Sequence, residues 1–308
     1  MNRVLVTGAN GFVGSHLVKE LHEHNVEVVG IGGAHGSGER SQYIDEYMQL
    51  DLMNPAEVSR IDLRPIESII HLAGLAVAGA SFDDPLNYIA TNIGIETNLF
   101  ELALKQGAQP RFLTISTGAL YDPKAPLPLT EKSAVVPSSP YAVSKLGQEQ
   151  MAQYYQMRGF DCIVARPFNH IGPGQNLGFI VPDLIKQVVD CERSKTTEVL
   201  VGNLDAKRDY TDVRDIVRAY RLLLEHGKSG EIYNICSGHA VSGHEILELI
   251  TTETHSTPQV RTDPSRMRPS DIPVLYGAHT KITADTGWQP TIPLEDTIRD
   301  VVADWRNR

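Results

Sequence analysis

The amino-acid sequence predicts an α/β protein built on a doubly wound parallel sheet, with a smaller C-terminal α/β lobe. Short apolar runs, such as residues 4–6 and 162–165, recur along the chain. Runs of this kind are typical of parallel strands that helices cover on both faces. Longer stretches with apolar residues three or four positions apart separate the runs, and this alternation of strand and helix predicts the parallel sheet.

The predicted elements follow one another in a regular order. Strands are expected at residues 4–6, 26–29, 48–52, 69–73, 112–116, 162–166 and 232–235. Helices are expected after the first strand and at about 87–105, 142–157, 182–192 and 212–225, and a final amphipathic helix carries Leu294, Ile298, Val301, Val302 and Trp305. Beyond Pro167 the alternation of strands and helices becomes less regular. We therefore expect one lobe from residues 1–168 plus about 209–236, and a second from about 169–208 plus 237–308.

A glycine-rich loop follows the first predicted strand and opens the first predicted helix. Gly8 permits a tight turn, Gly11 lets the backbone approach a pyrophosphate, and Gly14 lets the helix pack on the strand. Unpaired N–H groups and the positive end of the helix dipole favour phosphate at this terminus. The sequence therefore predicts a Rossmann-type domain that binds a dinucleotide through Gly8, Asn10, Gly11, Phe12, Val13 and Gly14.

The end of the second predicted strand lacks the acidic residue that would bind the 2′-hydroxyl of an adenine ribose. Residues 30–33 read Gly-Ile-Gly-Gly, with Arg40 and His35 nearby in the sequence. Since no carboxylate there would repel a 2′-phosphate, we predict NADP(H), with NAD(H) as the alternative. Asp51 and Leu52, after the third predicted strand, are expected near the adenine, although a turn aspartate would equally explain Asp51.

Tyr141 and Lys145 stand at positions i and i+4 of a predicted helix and therefore share one face. A phenol has an ordinary pKa of about 10, which makes it a poor acid–base catalyst at neutral pH. We expect the Lys145 ammonium to lower the pKa of Tyr141. Ser116 and Thr117 end the fifth predicted strand, where ligands bind in open α/β sheets, and a hydroxyl there can hydrogen-bond a substrate oxygen.

The composition is that of a globular protein with a negative net charge. The 28 basic and 38 acidic residues give a charge of −10, which argues against general binding to nucleic acid or anionic membranes. Three widely spaced cysteines fit neither a disulfide framework nor a metal site, so a reducing, cytoplasmic compartment is expected. The chain opens directly on a predicted strand, and no apolar run approaches the roughly 20 residues that span a bilayer.

Motifs along essentially the whole chain resemble those of the extended short-chain dehydrogenases/reductases that act on nucleotide sugars. They are TGANGFVG at 7–14, HLAG at 71–74, STGALY at 116–121, YAVSK at 141–145, RPFNHIGPGQ at 166–175, RDYTDVRD at 208–215 and YNICSG at 233–238. The motifs stand in the order that the family has. This agreement makes a chance pairing of Tyr141 with Lys145 negligible.

The resemblance implies a role for each matching residue. Tyr141 would be the general acid, and Lys145 would lower its pKa and hold the nicotinamide ribose. Thr117 rather than Ser116 would be the third catalytic hydroxyl, because the family's hydroxyl stands four residues before a tyrosine, here Tyr121. Further cofactor contacts would be Leu72, Ala73 and Gly74. The substrate, a nucleotide sugar held in the second lobe, would contact Asn169, Val181, Arg208, Arg268 and Asp271, and arginine suits a diphosphate.

Positions 118 and 119 distinguish reactions within the family. The dehydratases carry an acid at one or both positions, whereas this chain has Gly118 and Ala119, so dehydration is disfavoured. The segments at 166–175, 266–277 and 286–290 resemble the GDP-sugar branch. The resemblance implies reduction of the C4 ketone of a GDP-4-dehydro-6-deoxy-hexose, with GDP-4-dehydro-6-deoxy-D-mannose giving GDP-D-rhamnose.

Two alternatives stay open at this point. A nucleotide-sugar 4-epimerase would use the same three residues with a tightly bound NAD. A non-catalytic module that senses a dinucleotide would have no need to keep Thr117, Tyr141 and Lys145 together.

The resemblance also implies a homodimer through a four-helix bundle formed by residues 87–105 and 142–157, with an apolar lining of Ile89, Ile93, Leu99, Met151, Tyr154 and Tyr155.

Overall fold

The computed structural model describes residues 1–33, 42–193, 197–266 and 272–308. Its strands are β1 (Arg3–Thr7), β2 (Glu27–Gly32), β3 (Glu46–Gln49), β4 (Ser68–His71), β5 (Arg111–Ile115), β6 (Cys162–Pro167), β7 (Asn169–Ile171), β8 (Glu198–Val201), β9 (Lys207–Arg208), β10 (Tyr210–Asp212), β11 (Ile232–Ile235), β12 (Val241–Ser242), β13 (Gln259–Thr262) and β14 (Val274–Leu275). Its α-helices are α1 (Phe12–Glu23), α2 (Pro55–Val58), α3 (Pro85–Gln106), α4 (Pro140–Met157), α5 (Ile180–Arg193), α6 (Val213–His226), α7 (Gly243–Thr254), α8 (Thr280–Thr286) and α9 (Leu294–Asn307).

The predicted doubly wound parallel sheet is confirmed. Seven of the described strands pair in the order β11-β6-β5-β4-β1-β2-β3, and every pairing is parallel. The strand order reverses between β1 and β4, and ligands bind above the carboxyl ends of strands at such a switch point. Thr7 pairs with Ile31 on one side and with His71 on the other. The glycine loop therefore leaves the sheet directly beside the loop that follows β4.

The two longest helices begin two residues before the positions that the sequence predicted. Asp84 and Ser139 cap the N-termini of α3 and α4 by accepting backbone N–H groups, and a proline follows each cap. Proline suits the first helical position because its missing N–H would have no partner there. At the other end, α3 stops at Gly107, whose φ of 64° closes a left-handed cap. The cap at Ser139 places Tyr141 in the first turn of α4.

The third strand lies earlier in the chain than predicted, at Glu46–Gln49 rather than 48–52. The Leu50 N–H still donates to the Gly32 carbonyl at 3.0 Å. Asp51 then turns the chain away, because its carboxylate accepts the Met53 N–H at 2.9 Å. Leu52 is buried beneath this turn. The apolar residues after the strand thus serve the core rather than the sheet.

Of the four apolar clusters among the described residues, the three largest pack the helices and strands together. One packs α1 and α6 against one face of the sheet, and a second packs α3 and α4 against the other face. The third joins α5, α7 and α9 to β8, outside the main sheet. Trp288 is fully buried in the first cluster and donates its indole N–H to the Asp215 carbonyl at 2.9 Å. A smaller second lobe is therefore present, and its residue boundaries stay a prediction.

Two residues of the predicted dimer lining belong instead to the core of this chain. Leu99 is fully buried, and Tyr155 stacks on Phe100 at a centroid distance of 4.2 Å. Both lie on the helix faces that turn toward the sheet, so their placement in an interface was wrong. Tyr154, by contrast, is 45 % exposed. Among the described residues, no helix has the length and apolar character needed to cross a membrane.

Candidate active site

The glycine loop is packed so tightly that two of its glycines admit no side chain. Gly8 has a φ of 68°, and a Cβ there would lie 3.0 Å from the Ala73 nitrogen. A Cβ on Gly14 would lie 2.1 Å from the Gly8 carbonyl oxygen. The Gly11 N–H donates to that same oxygen at 2.9 Å, and Gly11 itself is exposed. The loop therefore presents bare backbone at the N-terminus of α1, which suits a pyrophosphate.

The end of β2 is lined by glycine, as the sequence indicated. A Cβ on Gly32 would come within 2.2 Å of the Tyr47 hydroxyl and 2.6 Å of the Asn10 Oδ1 atom. An acidic side chain at this position would displace both groups. Gly33 has open space around it. Arg40 and His35, the basic residues noted in the sequence, lie outside the described residues.

The other predicted cofactor contacts surround the same crevice. Asp51 is exposed and uses its carboxylate in a turn, as the simpler interpretation of this residue required. The Thr7 hydroxyl accepts the N–H groups of Leu72 and Ala73 at 3.1 and 3.0 Å, which fixes the loop after β4. Gly74 has a φ of 152°, and a Cβ there would meet Asn92 at 2.7 Å. The site roles of these residues stay predictions.

The hydroxyls of Ser116 and Thr117 point to different surroundings. Ser116 is buried and donates to the Glu149 carboxylate at 2.5 Å. Thr117 is half-buried, and its hydroxyl accepts the Ala119 N–H at 3.2 Å while also interacting with the Tyr141 phenol. Of the two candidates, Thr117 is thus the one placed beside the tyrosine.

The expected lowering of the Tyr141 pKa by Lys145 is wrong for this structure. Burial raises the pKa of Tyr141 to about 12, and the Thr117 hydroxyl only partly opposes this rise. The ammonium of Lys145 instead donates to the Ile115 carbonyl at 2.9 Å. The phenol is therefore in its protonated form near neutral pH, which is the form that a proton donor needs.

A buried ion pair that was not predicted from the sequence is hydrogen-bonded to Ser116, next to the candidate site. Arg166 donates to both oxygens of Glu149 at 2.8 and 2.6 Å, and both side chains are almost fully buried. The guanidinium also lies over the Tyr121 ring at 4.9 Å. A usable signal existed, because Glu149 stands four residues after Lys145 and so follows it on one helix face. The charge of Glu149 is thus matched within the protein.

Phe168 fills the space that a side chain at position 118, one of the two acid positions of the dehydratases, would need. A Cβ on Gly118 would lie 2.9 Å from the Phe168 ring, and Phe168 is 4 % exposed. Gly277 also packs against this ring, since a Cβ there would lie 2.6 Å from it. A carboxylate at position 118 therefore has no room unless Phe168 moves.

The predicted substrate residues are only partly brought together. Asn169 is exposed at the start of β7, and the half-buried Arg208 donates to the Ile272 carbonyl at 2.6 Å. Val181 is a correction: its side chain is 1 % exposed inside the third apolar cluster, on the inward face of α5, so the side chain cannot contact a ligand. Arg268 and Asp271 lie outside the described residues.

Asp209, which the sequence analysis did not single out, anchors the strand that carries Arg208. Its carboxylate accepts the N–H and hydroxyl of Ser237, both at 2.7 Å, and the Gly238 N–H at 3.0 Å. The carboxylate is almost fully buried, and burial raises the pKa of Asp209. Asp209 thereby joins β9 to the loop after β11, beneath the predicted substrate residues.

A family model described as the NAD dependent epimerase/dehydratase family matches residues 4–236. The chain belongs to this family. It is 33 % identical over 310 residues to the GDP-6-deoxy-D-mannose reductase of Pseudomonas aeruginosa, covering 99 % of this chain and 98 % of that protein. The family resemblance drawn from the sequence motifs is thereby confirmed.

Solved structures of family members have the same fold. The structure of RMD from Pseudomonas aeruginosa complexed with NADPH has a TM-score of 0.87 and 32 % identity, with all of both chains covered. The UDP-glucose 4-epimerase of Thermus thermophilus, solved in complex with NAD, has a TM-score of 0.87 and 28 % identity, with 99 % of both chains covered. The architecture is thus shared with one protein solved with NADPH and with an epimerase solved with NAD.

The different surroundings of the two strand-end hydroxyls predict different effects of removing them. We expect Thr117→Val to lower turnover roughly tenfold or more, because the phenol loses its hydroxyl neighbour. Ser116→Ala should instead lower the free energy of unfolding by about 1–2 kcal/mol, because a buried bond to a charged group is lost. Steady-state kinetics and denaturant unfolding of both variants check this. Equal loss of turnover in both variants would contradict the assignment of Thr117.

Proposed function

We propose that this protein catalyses the NAD(P)H-dependent reduction of the C4 ketone of a GDP-4-dehydro-6-deoxy-hexose, giving GDP-D-rhamnose from GDP-4-dehydro-6-deoxy-D-mannose. The observation that carries the proposal is a protonated Tyr141 beside Thr117, with no acid at position 118 or 119. Reduction of a ketone needs one proton donor, whereas removal of water needs a further acid–base group. The likeness to the Pseudomonas aeruginosa reductase supports the choice of substrate.

A nicotinamide dinucleotide fits the residues at the switch point of the sheet. Gly8, Gly11 and Gly14 leave the backbone open to a pyrophosphate, and the glycine-lined end of β2 carries no carboxylate against a 2′-phosphate. When bound in reduced form, the cofactor would supply the hydride. We favour NADP(H) on this ground and on the NADPH in the similar Pseudomonas aeruginosa structure, with NAD(H) as the alternative.

The chain's own side chains handle the proton and the orientation of the ketone. Tyr141 would donate its phenolic proton to the oxygen at C4 as negative charge develops there. Thr117 would donate a hydrogen bond to the same oxygen and so hold it near the phenol. The Lys145 ammonium, which is buried beside Ile115, would hold the nicotinamide ribose.

The second lobe would hold the GDP group. Asn169, exposed at the sheet edge, and Arg208, on β9, are the described residues that we assign to the diphosphate. Arginine recognises phosphate oxygens with two parallel hydrogen bonds, which suits this role. We assign Arg268 and Asp271 to the same ligand on the sequence resemblance alone.

We also infer a cytoplasmic homodimer that forms through α3 and α4. Apolar side chains remain exposed on these helices, with exposed fractions of 77 % for Leu86, 44 % for Val143, 45 % for Tyr154 and 82 % for Met157. Exposed apolar side chains of this size on two neighbouring helices favour pairing with a second copy. Ile89, Ile93 and Met151, which are half-buried in this chain, would complete the lining.

The test is the fate of GDP-4-dehydro-6-deoxy-D-mannose with NADPH or NADH. We expect stoichiometric loss of absorbance at about 340 nm, with GDP-D-rhamnose identified by NMR. GDP-mannose offered with NADP⁺ should give no 4-dehydro-6-deoxy product. If purified protein instead retains NAD and interconverts C4 epimers without net coenzyme consumption, the epimerase alternative holds and the proposal fails.

A further inference from the structure

A polar row lies under the active site, on the sheet face that α3 and α4 cover. Thr7, His71 and Thr114 are directly opposite one another on β1, β4 and β5. The Thr114 hydroxyl donates to the carboxylate of Glu96, which α3 places against the row. Glu96 is fully buried. Its second oxygen makes no hydrogen bond of ordinary geometry among the described residues, although the Gln148 side chain lies close enough to favour the carboxylate form. A carboxylate in such a place is costly unless a cation compensates it.

Lys145 is the buried cation that interacts electrostatically with this carboxylate, without a direct ion pair among the described residues. Its side chain is buried, and its ammonium donates to the carbonyl of Ile115, the residue after Thr114. The ammonium has three donors, so this one bond leaves most of its hydrogen-bonding capacity to other groups. Burial lowers the pKa of Lys145 to about 8, and the charges of Glu96 and then Glu149 oppose this fall. Without these two carboxylates, the pKa of Lys145 would be lower still.

The remaining charged and titratable groups around the pair do not replace Glu96. Glu149 is already matched by two bonds from Arg166. The Thr7 hydroxyl accepts two N–H groups, so it donates to the Nδ1 atom of His71, and burial lowers the pKa of that imidazole to about 3. Burial raises the pKa of the Cys162 thiol to about 12. Tyr141 is neutral for the same reason.

We propose that Glu96 is a positioning residue for the reaction, whose carboxylate supplies the buried negative charge that keeps Lys145 in its ammonium form. This inference rests on the proposed function, because Lys145 is assigned there to the nicotinamide ribose of the cofactor. Glu96 itself has no assigned contact with the cofactor. It works through Lys145, whose ammonium is bonded to the residue after its partner Thr114.

The first test measures the pair without any reaction. Thermal unfolding at about pH 8 is compared for the wild type, Glu96→Gln, Lys145→Met and the double variant. We expect Lys145→Met to lower the Tm, because it leaves a buried charge alone, and Glu96→Gln added to that variant to raise the Tm again. Additive changes in Tm, with no recovery in the double variant, would overturn the proposal.

The second test measures what the charge does for the site. We expect the alkaline limbs of NADPH affinity and of kcat/KM to move to lower pH by about one pH unit in Glu96→Gln, because an opposite charge near the ammonium is lost. Glu101→Gln removes the same charge from the exposed side of α3 and should leave both limbs in place. Unmoved limbs in Glu96→Gln would contradict the proposal.

The pH dependence of folding gives a third measurement. Burial raises the pKa of Glu96 from 4.5 to about 7, so its protonated form is the one that folding favours. This contribution is complete below about pH 4.5 and is lost as the pH rises to about 7. The stability of Glu96→Gln relative to the wild type should therefore rise over that range. A constant difference would overturn the burial argument, whereas failure to reduce a GDP-sugar would leave both stability comparisons and the NADPH affinity interpretable.

Discussion

Tyr141→Phe is expected to lower turnover by about 10²- to 10⁴-fold, which is the usual contribution of a positioned proton donor. The ring and its packing stay, and only the hydroxyl beside Thr117 is lost. The free energy of unfolding should therefore change by no more than about 1.5 kcal/mol. The measurement is the initial rate of NADPH consumption with GDP-4-dehydro-6-deoxy-D-mannose, together with a denaturant melt.

Tyr154→Phe provides the matched control for this experiment. The same hydroxyl is removed from the same helix, but Tyr154 is 45 % exposed and faces away from the sheet edge. Its turnover should stay close to that of the wild type. If Tyr141→Phe kept more than about a tenth of the wild-type rate, a different group would have to donate the proton.

Gly14→Ala is expected to abolish dinucleotide binding at ordinary concentrations. The added methyl would lie 2.1 Å from the Gly8 carbonyl oxygen and 2.8 Å from the Ala9 backbone, and neither atom belongs to a flexible side chain. The loop must therefore shift, which we expect to weaken NADPH binding by at least about 100-fold, or about 2.7 kcal/mol. Overpacking of this kind also costs about 1–3 kcal/mol of folding stability.

Gly33→Ala separates this steric effect from a general intolerance of side chains near the cofactor. Gly33 stands at the end of β2, and a Cβ there meets no atom within 4 Å. A Cβ without protein contacts changes folding stability by about 0.5 kcal/mol at most, so the loss of NADPH affinity should be much smaller than in Gly14→Ala. Calorimetric titration of both variants gives the comparison. Comparable loss in the two would mean that the close approach at Gly14 is not what the loop requires.

The fold could be predicted from the sequence because its signals are local. The apolar runs and the spacing of Gly8, Gly11 and Gly14 depend on neighbours in the chain, and each is read correctly without tertiary information. Boundaries were less accurate where a cap or a turn decides them. Asp84 and Ser139 extend their helices through the following proline, and Asp51 ends β3 early.

The site could be predicted only as far as the motifs reached. Thr117, Tyr141 and Lys145 lie together at the carboxyl edge of the sheet, but the pKa of Tyr141 depends on burial, which no spacing reveals. Glu96 was missed for a related reason. An acid within an amphipathic helix is usually solvated, so the sequence gives no sign that Glu96 is buried. Its hydrogen-bond partner Thr114 lies on another element, β5, and the two residues meet only in the folded structure.

The contact of Phe168 with both Gly118 and Gly277 restricts which residues this chain could carry at position 118. An acid at position 118 collides with the ring, and a smaller residue at position 168 alone leaves a cavity between two glycines. Each single change therefore lowers stability before any new reaction is gained. A chain that acquired a carboxylate at position 118 would therefore need a second substitution at Phe168, whereas this contact places no such restriction on position 119.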